Sequence, residues 1–263
     1  MIIGMVRYAI PNSFMNTNNS RSLVQLYEEP YFSDRFNIFC NVTLPSFAAQ
    51  TNQDFVLCVY HTNLIPDDKK ALFDNLAKQY SFLRNVYTDG AMFIPDDLKE
   101  STMLTFRIDN DDGIAIDFIE KMQQIKDTYN GKSTNFAISI PHMRKIGRVS
   151  EDQYKTIATD FVSNSMGLAY LGSDGRTVMN LGNHRTMPYS TPMLLVEGNG
   201  GLQVINGYNV ANGFNKVYKN QTPDLFLNKQ EMENLLAGDG YAKLDLSCLP
   251  IINSSLYFLR KTE

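Results

Sequence analysis

Tryptophan is missing from this sequence altogether, and histidine and cysteine are scarce, with three of each in 263 residues. Tryptophan is the ring most favoured for stacking on sugar C–H faces. Its absence counts against a lectin-like binding protein, although 14 tyrosines and 16 phenylalanines supply other rings. Cys40, Cys58 and Cys248 are isolated and odd in number, and read as reduced core thiols of a cytoplasmic protein. No C-x-x-C or H-E-x-x-H run is present, so a zinc site is not expected. Neither G-x-G-x-x-G nor G-x-x-x-x-G-K-[ST] occurs, which removes support for a dinucleotide site of Rossmann type and for a P-loop. There is no excess of positive charge: 24 Lys and Arg against 28 Asp and Glu give a net charge of -4. Binding nucleic acid through counterion release therefore has no basis, while a local basic pocket for one phosphate-bearing ligand stays compatible. No apolar run approaches the ~20 residues that span a bilayer. Residues 1–10 form a short apolar stretch broken by Arg7, with no basic leader and no small-residue cleavage site, and do not read as a signal peptide.

What is present is enough for a real core. The chain is 43% hydrophobic and 20% charged, and its length suits one large α/β domain or two small ones. Residues 2–8 read as a buried first strand, followed by a polar loop over 12–21. Ser33 or Asp34 caps a predicted helix whose face is Phe36, Phe39, Cys40, Thr43, Leu44 and Phe47, and Pro45 should bend it. Residues 54–60 are a second strand. Ile65-Pro66-Asp67-Asp68 opens a helix with Leu72, Leu76 and Tyr80 on its face, and 82–87 is a third strand. Residues 102–108 alternate as a fourth strand, with a helix expected at once after it through Ile114, Phe118, Met122 and Ile125. This order implies a mostly parallel sheet flanked by helices. Beyond Asn135, short strand-like pieces (136–140, 168–171, 178–181, 202–205) alternate with Gly, Asn and Pro, and 229–237 is one late helix. The expected organisation is a ligand-binding half over 1–134 and a more irregular half over 135–263, sharing one continuous core.

The strongest local signal is Arg107-Ile-Asp109-Asn-Asp111-Asp112-Gly113, at the end of a predicted strand. Ligands of open α/β sheets bind outside the carboxyl ends of strands. Asp109 and Asp111, two apart in extended backbone, project to one side. Two carboxylates on one side are costly unless a cation neutralises them. Mg²⁺ or Mn²⁺ suits such oxygen ligands and commonly adds substrate phosphates to one or two carboxylates. The same residues also make a good turn and helix cap, with Asp111 or Asp112 capping a helix near Ile114. An EF-hand does not fit, because Gly113 falls one place early and the preceding segment is a strand.

Several segments resemble a known family. Ser33-Asp-Arg35-Phe-Asn-Ile-Phe39, Thr43-Leu-Pro-Ser46, Gln50-Thr51, Asp54-Phe-Val-Leu and Arg107-Ile-Asp-Asn-Asp-Asp112 are similar to bacterial rhamnosyltransferases, and the resemblance runs to about residue 214. Within it, the segment 202–210 carries Leu202 and Asn206 where that family is expected to have Trp and His. The resemblance implies a GT-A-like fold and a glycosyltransferase that moves a sugar from a UDP-, GDP- or dTDP-linked donor to a glycan or lipid-linked acceptor in surface polysaccharide synthesis. It implies Asp111 as direct ligand of Mn²⁺ or Mg²⁺, with Asp109 on the ribose or the metal's water. It also implies a third ligand from a C-terminal histidine, for which His184 is placed, and Arg185 beside it on the diphosphate. Arg7, at the end of the first strand, and Arg107 face the expected nucleotide pocket. The implied location is cytoplasmic, at the inner face of a membrane, with no spanning segment.

An inverting transferase needs an Asp or Glu to deprotonate the acceptor hydroxyl. Glu197 follows an apolar run and precedes Gly198, Gly200 and Gly201, and is the first candidate. Asp174, between Gly172 and Gly175, is the second and equally suits a hairpin turn. His61 and His142 follow short apolar strands and read as edge or loop histidines. Two other classes compete: a metal-dependent nucleotidyltransferase or phosphohydrolase, and a non-catalytic carbohydrate-binding protein on the same fold. Phosphoaspartyl hydrolases want D-x-D-x-T/V near the N-terminus, whereas here Asp111 is followed by Asp112-Gly113.

Overall fold

The apolar, β-branched runs of the first hundred residues become parallel strands, and the polar-faced segments between them become the covering helices. The computed structural model describes residues 1–10, 25–132, 135–163, 165–182, 187–207 and 222–252. The predicted loop over 12–21 lies outside them. In chain order the first part contains β1 (Ile2–Ala9), α1 (Tyr31–Ile38), α2 (Leu44–Ala48), β2 (Phe55–Thr62), α3 (Asp67–Gln79), β3 (Leu83–Thr88), β4 (Met103–Asp109), β5 (Gly113–Ile114) and α4 (Phe118–Thr128). The second part contains β6 (Asn135–Ser139), β7 (His142–Arg148), β8 (Tyr154–Asp160), β9 (Leu168–Gly172), β10 (Met193–Leu195), β11 (Asn199–Val204), β12 (Leu225–Leu227) and α5 (Lys229–Gly238).

Seven strands form one sheet in the order β10-β6-β9-β4-β1-β2-β3. Six run parallel and β9 alone runs against them. The expected class, α/β with a mostly parallel central sheet, is what the chain adopts. Strands β6, β9 and β10, from beyond residue 134, complete the same sheet. One face buries Ile2, Val6, Leu57, Phe106 and Ile108 against α1 to α4, and the other buries Ile3, Met5, Cys58 and Tyr170. Gly4 lies between Phe106 and Leu57, where an added Cβ would meet side-chain carbons at 2.5 and 2.6 Å, so only glycine lets the strands pack there. A second, five-stranded sheet runs β12-β8-β7-β11-β5, and α5 packs on it through Met232 and Leu236.

Local differences from the sequence expectation have physical causes. The first helix starts at Tyr31 behind Pro30 without a side-chain cap, and Ser33 instead hydrogen-bonds Glu29. Its predicted bend is a single π-helical turn, Phe39–Thr43, running straight into α2. Pro45 has no N–H to give the carbonyl of Asn41, and that carbonyl accepts from the Asp245 N–H at 3.3 Å instead. In α3 the buried residue is Phe73, while Leu72 is exposed. Residues 178–181, expected as strand, form a 3₁₀ turn, because Thr177 and Asn180 cap it reciprocally. No helix among the described residues is long and apolar enough to cross a membrane.

Candidate functional site

Every parallel strand of the large sheet ends at the same edge, and the Asp109–Asp112 segment lies at its middle. β4 ends at Asp109, and the chain then turns, the Asp112 N–H donating to the Asp109 carbonyl at 3.3 Å. The expected helix does not follow at once. Instead β5 crosses to the second sheet, pairing Gly113 with Leu202 and Ile114 with Gly201, and α4 begins only at Phe118. Neither Asp111 nor Asp112 caps a helix. Asp112 is buried and accepts the Val204 N–H at 2.9 Å, while Asn206 donates to Asp111 Oδ2 at 2.8 Å. The second sheet thus grips the turn from one side.

The end of the π turn and α2 grip it from the other. Thr43 Oγ1 lies 3.1 Å from the Asn110 carbonyl and 2.8 Å from that of Asp112. Ser46 Oγ donates to the Thr43 carbonyl at 2.8 Å and receives the Ile114 N–H at 3.4 Å. Gln50 Nε2 donates to the carbonyls of Ser46 and Ala115, both at 2.8 Å, and its Oε1 accepts from the Ile119 N–H. The Thr51 N–H donates to the Ile116 carbonyl at 2.9 Å. Thr43, Ser46, Gln50 and Thr51, which carried part of the resemblance, therefore form the scaffold of the acidic turn. Arg35, in the same set, hydrogen-bonds Asn110 Oδ1 and, at 2.5 Å, the Tyr31 hydroxyl. Nothing in its spacing marked that role, since the contact spans 75 residues.

The site is strongly charged. Burial pushes the Asp111 carboxyl up and Asp109 adds to it, against the pull of Arg35 and the Asn206 amide. Asp112 is pushed well above the usual carboxylate range by burial and by Asp111 and Asp109. On the sheet face that carries Met5, the register sets Arg7 opposite Asp109 and Arg107 opposite Met5, so both arginines flank Asp109. Burial and Arg7 pull the Arg107 guanidinium down, and Asp109 opposes them. Neither arginine makes an ion pair or side-chain hydrogen bond among the described residues. Two partly buried cations and a cluster of acids thus meet at one strand end, an arrangement able to take an anion and a hard cation together. Among the described residues, no three His, Cys, Asp or Glu side chains converge as a ready metal cage.

The other expected residues separate. Glu197 is exposed, two residues beyond β10, at the same edge as the acidic turn. Strands β6 and β9 intervene between β10 and β4, about 14 Å across at normal strand spacing. Gly198 beside it has φ +104, a conformation suited to glycine. Asp174 is not brought to this edge: it follows β9, which runs the other way, and its carboxylate is held by Arg176 and Tyr170. His184 and Arg185 lie outside the described residues. His61 is neither at an edge nor in a loop but fully buried within β2. His142 begins β7 with Nδ1 2.7 Å from Asp160.

A family model described as "Putative rhamnosyl transferase" matches residues 1–216. No curated protein matches the chain. Among solved structures, S. aureus TarS residues 1–349 with UDP-GlcNAc is 10% identical, with a TM-score of 0.45 over 83% of this chain and 61% of that one. A second structure of S. aureus TarS residues 1–349 is 9% identical, with a TM-score of 0.43 over 78% of this chain and 60% of that one. A Bacillus anthracis protein described as a "Putative Glucose-1-Phosphate Thymidylyltransferase", in complex with a sucrose, is 9% identical, with a TM-score of 0.37 over 76% of this chain and 88% of that one. The chain thus spans about three fifths of the TarS fragment.

Proposed function

From the premise that this chain belongs to the family of that rhamnosyl transferase model, we propose that it is a metal-assisted glycosyltransferase that takes a nucleotide-linked sugar at the Asp109–Asp112 turn. One observation carries the reading: Arg7 and Arg107, without ion-pair partners among the described residues, flank Asp109 at the carboxyl end of the parallel sheet. Two such cations beside acids ask for an anion that brings its own counter-cation, and a diphosphate with Mn²⁺ or Mg²⁺ is such a ligand. The donor set fits a hard cation, because Asp109 and Asp111 are oxygen ligands whose mutual repulsion and burial it would relieve. Asp111 would hold it directly, Asp109 would meet it or the ribose, and the diphosphate would complete the shell, with His184 as a further ligand. Such a cation neutralises charge on a departing diphosphate.

The chain's own groups have separable tasks. Arg7, Arg107 and Arg185 bind and orient the diphosphate. Thr43, Ser46 and Gln50 keep the turn rigid, so that the ligands need little reorganisation on binding. Glu197, on the same edge, takes the proton from the acceptor hydroxyl. In this reading residues 1–134 form the donor half and 135–263 the half that meets a glycan or lipid-linked acceptor, for surface polysaccharide synthesis at the inner face of a membrane. The direct test is a thermal-shift panel of UDP-, GDP- and dTDP-linked sugars with Mn²⁺ and with EDTA. Stabilisation by one nucleotide family that needs the metal supports the proposal. Stabilisation by free glycans alone, or none by any nucleotide sugar, contradicts it.

A further inference from the structure

Asn110, between the two proposed ligands, is fully buried and held at both ends. Its main-chain carbonyl receives Thr43 Oγ1 at 3.1 Å, and its side-chain oxygen receives Arg35 Nη2. A guanidinium can only donate, so the amide oxygen must face Arg35 and the amide nitrogen must face away. That nitrogen is buried without a hydrogen-bond partner among the described residues. Arg35 is itself fixed by the Tyr31 hydroxyl, and its guanidinium lies 5.7 Å from the centre of the Tyr8 ring and 5.1 Å from that of Tyr31. Burial opposes its charge, while Tyr31, Asp111, Tyr8 and Asp109 favour the charged form and outweigh that cost. One rigid cation of α1 therefore fixes the residue that sets the spacing of Asp109 and Asp111.

We propose that Arg35 is a positioning residue: through Asn110 it holds the main chain between Asp109 and Asp111 in the geometry that receives a divalent cation with a nucleoside diphosphate. The inference rests on the function proposed above. A forked, planar donor suits the task, because its two terminal nitrogens meet the Tyr31 hydroxyl and the Asn110 oxygen separately at a fixed spacing, whereas lysine offers one nitrogen on a flexible stem.

The test measures the affinity of UDP, GDP and dTDP with excess EDTA and with Mn²⁺, and takes the ratio of the two dissociation constants. The variants are Arg35→Gln, Arg35→Lys, Asn110→Ala and the double Arg35→Gln/Asn110→Ala. A merely structural loss weakens both affinities and leaves the ratio alone. The positioning role predicts that each single variant lowers the ratio about tenfold, the scale of coupling between contacting residues, and that the double variant is no worse than the worse single. Should Arg35→Gln fail to fold, Asn110→Ala and Arg35→Lys carry the same test. An Arg35→Gln or Arg35→Lys protein with the wild-type ratio overturns the inference while the proposed function stands, and so does a double variant whose losses multiply. A wild-type ratio of one with all three nucleotides overturns the proposed function and this inference together.

Discussion

Lowering the pH from 7 to 5 should cost this protein stability at His61. Its ring is fully buried in β2 among the rings of Tyr8, Phe73 and Tyr87, at centroid distances of 5.5, 4.2 and 5.5 Å. Among the described residues neither ring nitrogen has a hydrogen-bond partner, although the Asn85 side chain is close enough to favour the charged form slightly. Burial pulls the folded-state pKa from 6.5 down to about 3. The sign follows from proton counting. Between those two values the unfolded chain binds the proton and the folded chain does not, so stability falls as the pH drops below 6.5. At pH 5 the folded ring is neutral and the unfolded ring almost fully protonated, a difference of about 2 kcal/mol that grows to ~4 kcal/mol at pH 3. Urea unfolding at pH 7 and pH 5, on wild type and His61→Phe, isolates the effect, because the other titrating groups cancel in the comparison. Wild type should lose about 2 kcal/mol more than the variant over this interval. Equal losses would refute the buried, neutral histidine.

Three further outcomes follow from the site. Thr43→Val keeps the side-chain shape but removes the hydroxyl facing the carbonyls of Asn110 and Asp112; it should lower stability by ~1–2 kcal/mol in a thermal melt, and an unchanged melting temperature would contradict the clamp. Asp112→Asn keeps an acceptor for the Val204 N–H while Asp112→Ala leaves that buried donor unsatisfied, so the alanine variant should be less stable than the asparagine variant by ~1–3 kcal/mol; equal stabilities would mean that the bond contributes nothing. Glu197→Gln should lower turnover by roughly 10²-fold with nucleotide affinity intact, and unchanged turnover would remove Glu197 from the mechanism.

Much of this architecture was legible because strand periodicity and local order decide it. The alternation of Leu104, Phe106 and Ile108 marks β4, and the acidic run marks where it ends. The connection after it was not legible: β5 is two residues long and exists only through pairing with Leu202 and Gly201, some 90 positions away. With β5 unseen, Asp112 reads as a helix cap instead of an acceptor for Val204. β7 escaped for a different reason. Arg144 and Lys145 sit side by side in β7 and hide its alternation, yet both are buried, Arg144 against Asp239. Strand direction also decides the site: β9 runs against its neighbours and carries Asp174 to the far edge, which no local pattern announces. The part Arg35 plays shows only in three dimensions, as does the burial of His61.

The central claim is that Asp111 receives a divalent cation together with a nucleoside diphosphate. Calorimetric titration of wild type and Asp111→Asn with UDP, GDP and dTDP, each with Mn²⁺ and with EDTA, tests it most directly. The account predicts that wild type binds at least one nucleotide about tenfold or more tightly with Mn²⁺, and that Asp111→Asn loses this gain while its metal-free melting temperature holds or rises, because one buried negative charge is gone. An Asp111→Asn protein that keeps the full Mn²⁺-dependent gain and melts lower would make the acidic run a turn and nothing more.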